Sequence, residues 1–127
     1  MATSMVRVLV VDDERMISWS MEQTLKAAGY EVVTANTVEG GMALFRALHP
    51  DVVFLDVRLP DGDGLSMLKR LRDEGVPETA VIVMTAYDET CTADAALSQG
   101  ASAYLKKPFD FEALPALVGR TKGSSRV

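Results

Sequence analysis

Four short apolar runs in this chain each end on a polar residue capable of chemistry, and that repetition constrains the fold more than any other feature. Val6–Arg7–Val8–Leu9–Val10–Val11 ends in Asp12–Asp13, and Val52–Val53–Phe54–Leu55 ends in Asp56. Ala80–Val81–Ile82–Val83–Met84 ends in Thr85, and Ala103–Tyr104–Leu105 runs into Lys106–Lys107–Pro108. An unpaired carboxylate at the tip of a buried strand is costly, because its water must be stripped away. In an open parallel sheet the carboxyl ends of the strands face one crevice, where ligands bind. Three carboxylates, one hydroxyl and one ammonium would converge there, a set suited to a phosphoryl group and a divalent cation.

The runs alternate with helical segments five times, the pattern of a parallel sheet covered on both faces. The spacing predicts a first helix over Glu14–Ala28, capped by Asp13, with Ile17, Met21, Leu25 and Ala28 on one apolar stripe and Gly29 as its stop. Trp19 lies off that stripe and is expected partly exposed. Glu31–Thr34 reads as a second strand. Thr37 caps a helix reaching Leu48, in which Gly40 and Gly41 each cost about 1 kcal/mol relative to alanine. Further helices are expected near Leu65–Asp73 and Thr90–Ser98, the second with little apolar surface to bury. A fifth follows Asp110, with Phe109 and Leu114 as a hydrophobic staple and Pro115 forcing a kink or a late start. Residues 1–5 read as a disordered extension, and 119–127 as a frayed tail or the start of a linker.

With 127 residues the chain fits one domain with one continuous core. Its net charge is −5; without Arg120, Lys122 and Arg126 near the carboxyl end, 10 basic groups stand against 18 acidic ones. That balance argues against nucleic acid binding by this domain and suits a protein that gathers acids around a metal. Cys91 is the single cysteine, which permits no internal disulfide. No apolar stretch approaches the roughly 18–20 residues of a membrane span, and Met1–Met5 lacks the features of a signal peptide, so no membrane partner and a cytoplasmic location are expected.

Asp12 and Asp13 beside Asp56 read as a magnesium site, although adjacent acids at a strand-to-helix turn also cap helices. Asp61–Gly62–Asp63–Gly64 lacks the acid spacing and terminal Glu of a calcium loop. His49, before Pro50, reads as an exposed loop residue.

In this order and at these strand ends, Asp12–Asp13, Asp56, Thr85–Ala86 and Lys107–Pro108–Phe109 resemble the receiver domain of bacterial two-component response regulators, over about residues 6–118. The resemblance implies a flavodoxin-like, doubly wound five-stranded parallel sheet of order 2-1-3-4-5 with five helices. It implies that Asp56 accepts a phosphoryl group from the histidine of a sensor kinase, with Mg2+ held by Asp12, Asp13, Asp56 and the backbone carbonyl of Arg58. Lys107 is then the cation facing the transferring group, and its bond to Pro108 is cis. Thr85 and Tyr104 become a switch pair, although a tyrosine in such a strand also suits plain edge packing. Arg58 and Tyr87 would tune the lifetime of the aspartyl phosphate. The output face would be the fourth helix, fifth strand and fifth helix, with a homodimer linked to phosphorylation. Trp19 and the stretch Asp56–Val57–Arg58–Leu59–Pro60–Asp61–Gly62 resemble the nitrogen-regulatory, enhancer-binding type, which points to transcription. Such a domain is a signalling switch rather than an enzyme, despite catalysing its own phosphoryl transfer.

Three rival readings share these residues. A phosphatase of the haloacid-dehalogenase type also uses an aspartyl nucleophile, but Arg58 stands where that chemistry needs a second Asp. A flavodoxin-like cofactor binder lacks its phosphate-cradling loop, and Asp12–Asp13 in that place would repel a flavin phosphate. A receiver-like domain that no longer takes phosphate is disfavoured because every chemical position is present.

Overall fold

The computed structural model describes residues 6–74, 79–85 and 95–125, with side chains at the carboxyl end described as far as Thr121. The strands are β1 (Arg7–Val11), β2 (Glu31–Ala35), β3 (Val52–Asp56), β4 (Arg58–Leu59), β5 (Gly62–Asp63), β6 (Ala80–Thr85) and β7 (Ala103–Lys106). The helices are α1 (Arg15–Ala27), α2 (Val38–Leu48), α3 (Gly64–Asp73), the helical residues 95–98 (α4) and α5 (Leu114–Ser125). Five strands form one parallel sheet in the order β2-β1-β3-β6-β7, which is the expected 2-1-3-4-5 once the extra pair β4–β5 is set aside. That pair is a small antiparallel ribbon turning through Pro60–Asp61.

The apolar runs are buried because both faces of the sheet are covered. Val8, Val10, Val52, Phe54, Ile82 and Met84 pack against Met21 and Leu25 of α1 and Leu114 and Val118 of α5. Leu9, Val11, Val53, Leu55, Val81 and Val83 face Met42 and Phe45 of α2, Met67, Leu68 and Leu71 of α3, and Ala96 of α4. The period-2 alternation of strand side chains thus sorts every central residue to one of two cores. Gly41 sits where α2 crosses β1: a Cβ there would lie 3.0 Å from both Met67 Cε and Val11 Cγ2. The glycine that weakens α2 in isolation lets it approach the sheet.

Several local expectations need correction. The N-cap of α1 is Glu14, not Asp13, and no side chain caps it; instead the Glu14 amide donates to Asp12 Oδ1 at 2.9 Å. Ala28 is exposed rather than part of the buried stripe. α5 runs to Ser125, through part of the stretch that reads as a frayed tail or the start of a linker, and Thr121 is buried with its hydroxyl donating to Leu117 O at 2.9 Å. Pro115 does enforce a late start: a 3-10 turn over Phe111–Ala113 precedes α5, and the proline falls in the first helical turn, where no amide is required. His49 is exposed and ends α2 in the left-handed region at φ 49°.

Candidate functional site

Asp12, Asp56 and Lys107 each continue the phase of strand residues that face α1 and α5, so one side of the crevice receives all three. Bonds between neighbouring strand tips hold them in place. Asp12 N donates to Ala35 O at 3.0 Å, Val57 N to Met84 O at 3.2 Å and Lys107 N to Thr85 O at 2.7 Å. Gly64 presses on the tip of β3, its amide donating to Val57 O at 2.7 Å; a Cβ there would overlap the Asp56 carbonyl oxygen.

Carboxylate oxygens of Asp12, Asp13 and Asp56 lie within 4.8 Å of one another. Asp12 and Asp56 are buried while Asp13 is exposed, so the cluster opens to solvent on the Asp13 side. Such a set of hard oxygen donors fits a magnesium ion, which takes one or two carboxylates and keeps several waters. Lys107 Nζ donates to Asp12 Oδ2 at 2.9 Å, Glu14 Oε1 at 3.0 Å and Asp56 Oδ2 at 3.2 Å. Burial pushes the Asp56 carboxyl up to about 6, the Asp12 charge adds to that, and Lys107 opposes it. Burial works against the Lys107 charge, but the bond to Asp12, the Asp56 charge and the bond to Glu14 hold its pKa above the ordinary lysine value.

Arg58 opens β4 with its side chain exposed, and its amide faces Asp56 Oδ1 at 3.4 Å. Thr85 is buried at the end of β6. Tyr104 is 46% exposed on β7, in register with Val83 and two residues back from the Thr85 pairing with Lys106. Thr85 and Tyr104 therefore share the face of the sheet opposite to Asp56 and Lys107. The Lys107–Pro108 bond is cis. Tyr87 lies outside the described residues. Beside the acids a cleft of about 390 Å³ is walled by Arg15, Ser18, Trp19 and Thr34.

Two contributors escaped the sequence reading. Glu14 reads in the sequence only as the start of a helix, yet its carboxylate accepts from Lys107 Nζ. Asp61 accepts from the amides of Val38 (2.7 Å) and Glu39 (3.1 Å) at the start of α2, and those bonds hold its carboxyl below the usual range. It ties the turn between β4 and β5 to the start of α2. The run Asp61–Gly62–Asp63–Gly64, which lacks the pattern of a calcium loop, thus serves as a clasp through Asp61 and, through Asp63, as the N-cap of α3.

A doubly wound α/β domain with an acidic, lysine-anchored cluster at its strand tips is the class that this architecture defines. The sequence matches the response regulator receiver domain over residues 8–119, and the chain belongs to that family. It is 41% identical over 118 residues to the regulatory protein AtoC of Escherichia coli, covering 93% of this chain and 25% of AtoC. It is 42% identical over 116 residues to the DNA-binding transcriptional regulator NtrC of the same species, covering 89% of this chain and 24% of NtrC. The chain thus spans about a quarter of the length of these relatives. A CheY-like receiver domain protein from Methanospirillum hungatei superposes with a TM-score of 0.90 at 29% identity, covering 97% of this chain and 98% of that one. NtrX from Brucella abortus gives 0.89 at 30%, covering 97% and 28%. These relatives agree with the nitrogen-regulatory type. Among the described residues no helix is long and apolar enough to cross a membrane.

Proposed function

We propose that this domain is a phosphorylation-controlled switch in which Asp56 is the phospho-acceptor and a sensor histidine kinase the donor. The observation that carries this reading is the burial of Asp56 at the tip of β3, with Asp12 and Lys107 against its carboxylate. An Asp56 oxygen forms a bond to phosphorus while the bond from phosphorus to the donor's histidine nitrogen breaks. That nitrogen leaves with the electron pair and is protonated from solvent. Lys107, bonded to Asp56 Oδ2, faces the oxygens where charge accumulates. A magnesium ion held by Asp12, Asp13, Asp56 and the Arg58 carbonyl would neutralise the transferring oxygens.

Thr85 and Tyr104 respond to the phosphorylated state on the opposite face of the sheet and alter an output surface. Through that surface, and a homodimer formed on it, the domain acts on transcription in a longer protein. Arg58 and Tyr87 govern the lifetime of the phosphate by shielding it from water. Incubation with acetyl phosphate and magnesium, followed by intact mass, is the test. Wild type should gain one phosphoryl group and Asp56→Asn none; equal modification of the two would remove Asp56 from its role.

A further inference from the structure

Lys107 has three N–H donors and places all three on carboxylates: Asp12, Glu14 and Asp56. Two of those acids also belong to the cluster that fits a divalent cation, whereas Glu14 does not. An acid shared with a cation is a weaker acceptor for an ammonium, since its negative charge is already offset. Glu14 is then the one partner of Lys107 that cation binding leaves undivided.

We propose that Glu14 is a positioning residue that anchors the Lys107 ammonium, so that a remaining N–H stays directed at the phosphoryl oxygens on Asp56. The proposal rests on the phospho-acceptor reading above. The local structure supports it in two ways. The Glu14 amide donates to Asp12 Oδ1 at 2.9 Å, which holds its backbone beside an acid that Lys107 also meets. Its carboxylate makes no cap to the helix, so its contact with Lys107, 93 residues away, is not a by-product of helix capping. Lys107 is nearly enclosed, at 16% side-chain exposure, while Glu14 at 59% closes it from the solvent side.

Glu14→Gln keeps an oxygen acceptor without the charge and Glu14→Ala removes both; neither disturbs a cap. With acetyl phosphate and saturating magnesium, the maximal phosphorylation rate should fall roughly fivefold in Glu14→Ala and less in Glu14→Gln, as an exposed but constrained charge contact predicts. The magnesium Kd should stay within about twofold, which a general disruption of the acids would not allow. Independently of phosphorylation, NMR of the Lys107 ε-methylene in magnesium alone should show greater mobility in Glu14→Ala than in wild type. A wild type that takes no phosphate overturns the phospho-acceptor reading, and the Lys107 mobility still tests the anchor. If wild type is phosphorylated and Glu14→Ala matches it in rate, or if Lys107 is equally ordered in both, the anchoring role is wrong.

Discussion

In the metal-free protein, Asp56 is buried against Asp12, and Lys107 must serve both as well as Glu14. Its carboxyl, pushed up to about 6 chiefly by burial, holds its proton more tightly in the folded chain than in the unfolded one. The stability this gives is fully present below about pH 4 and is lost as pH rises through about 6. Metal-free wild type should therefore lose stability across that window. Asp56→Asn should flatten the loss and exceed wild type at pH 7.5 by about 1 kcal/mol, after allowing for solvent screening in an open crevice. Denaturant midpoints in chelator at pH 4.5 and 7.5 measure it; a constant difference between the two proteins at both pH values would refute it. Asp12, Asp56 and Lys107 were legible because strand alternation fixes which face a residue takes one step past the strand. Glu14 and Asp61 were not. Each acts across a loop on a partner at least 22 residues away in sequence, and a solvated acid at a helix start looks the same whether or not it has one.

At the scale of elements, α2 is held by its ends and its packing more than by its composition. Thr37 Oγ1 accepts from the Gly40 amide at 2.9 Å, while Asp61 takes the amides of Val38 and Glu39. Thr37→Ala should cost about 1 kcal/mol in chemical denaturation, the usual worth of an N-cap. Asp61→Ala should lower the melting temperature as well, and the double variant should fall short of additivity if the two caps support the same turn. Gly64 makes a stricter demand, since any side chain there meets the Asp56 carbonyl. Gly64→Ala should cost roughly 1–3 kcal/mol as an overpacked site and slow phosphorylation of Asp56 by shifting the β3 tip. An alanine variant as stable and as active as wild type would contradict that contact. The five strands of the parallel sheet and the first three helices fell within a residue or two of their sequence positions, because apolar periodicity marks them even where, as at α1, the expected cap is wrong. The end of α5 did not: the mixed composition after Gly119 hid the buried Thr121 that carries the helix onward.

For the whole molecule, the clustering of acids in a chain of net charge −5 predicts that folding is linked to divalent cations. A cation that binds only the folded cluster stabilises by mass action, about 1.4 kcal/mol for each tenfold increase above its Kd. Melting temperature should climb with magnesium in wild type and much less in Asp13→Ala; a wild-type curve flat in magnesium would remove the cation site. The sheet also dictates how a change at Asp56 can travel. Asp56 and Lys107 lie on the α1–α5 side, whereas Thr85 and Tyr104 lie on the side of α3 and α4, so the proposed switch routes its signal through β6. Tyr104 is exposed and lies outside both core clusters, so it is the residue of this face that a rearrangement can move. Activation with beryllofluoride and magnesium should therefore shift backbone resonances along β6 and β7 on the Thr85–Tyr104 face while the α1-facing residues Val8, Val10 and Phe54 barely respond. Tyr104→Ala should accept phosphate at the wild-type rate yet lose most of the change along β7 and any phosphorylation-linked dimer. If shifts stay confined to the strand tips, or if Tyr104→Ala transmits them unchanged, the crossing through β6 is not the route.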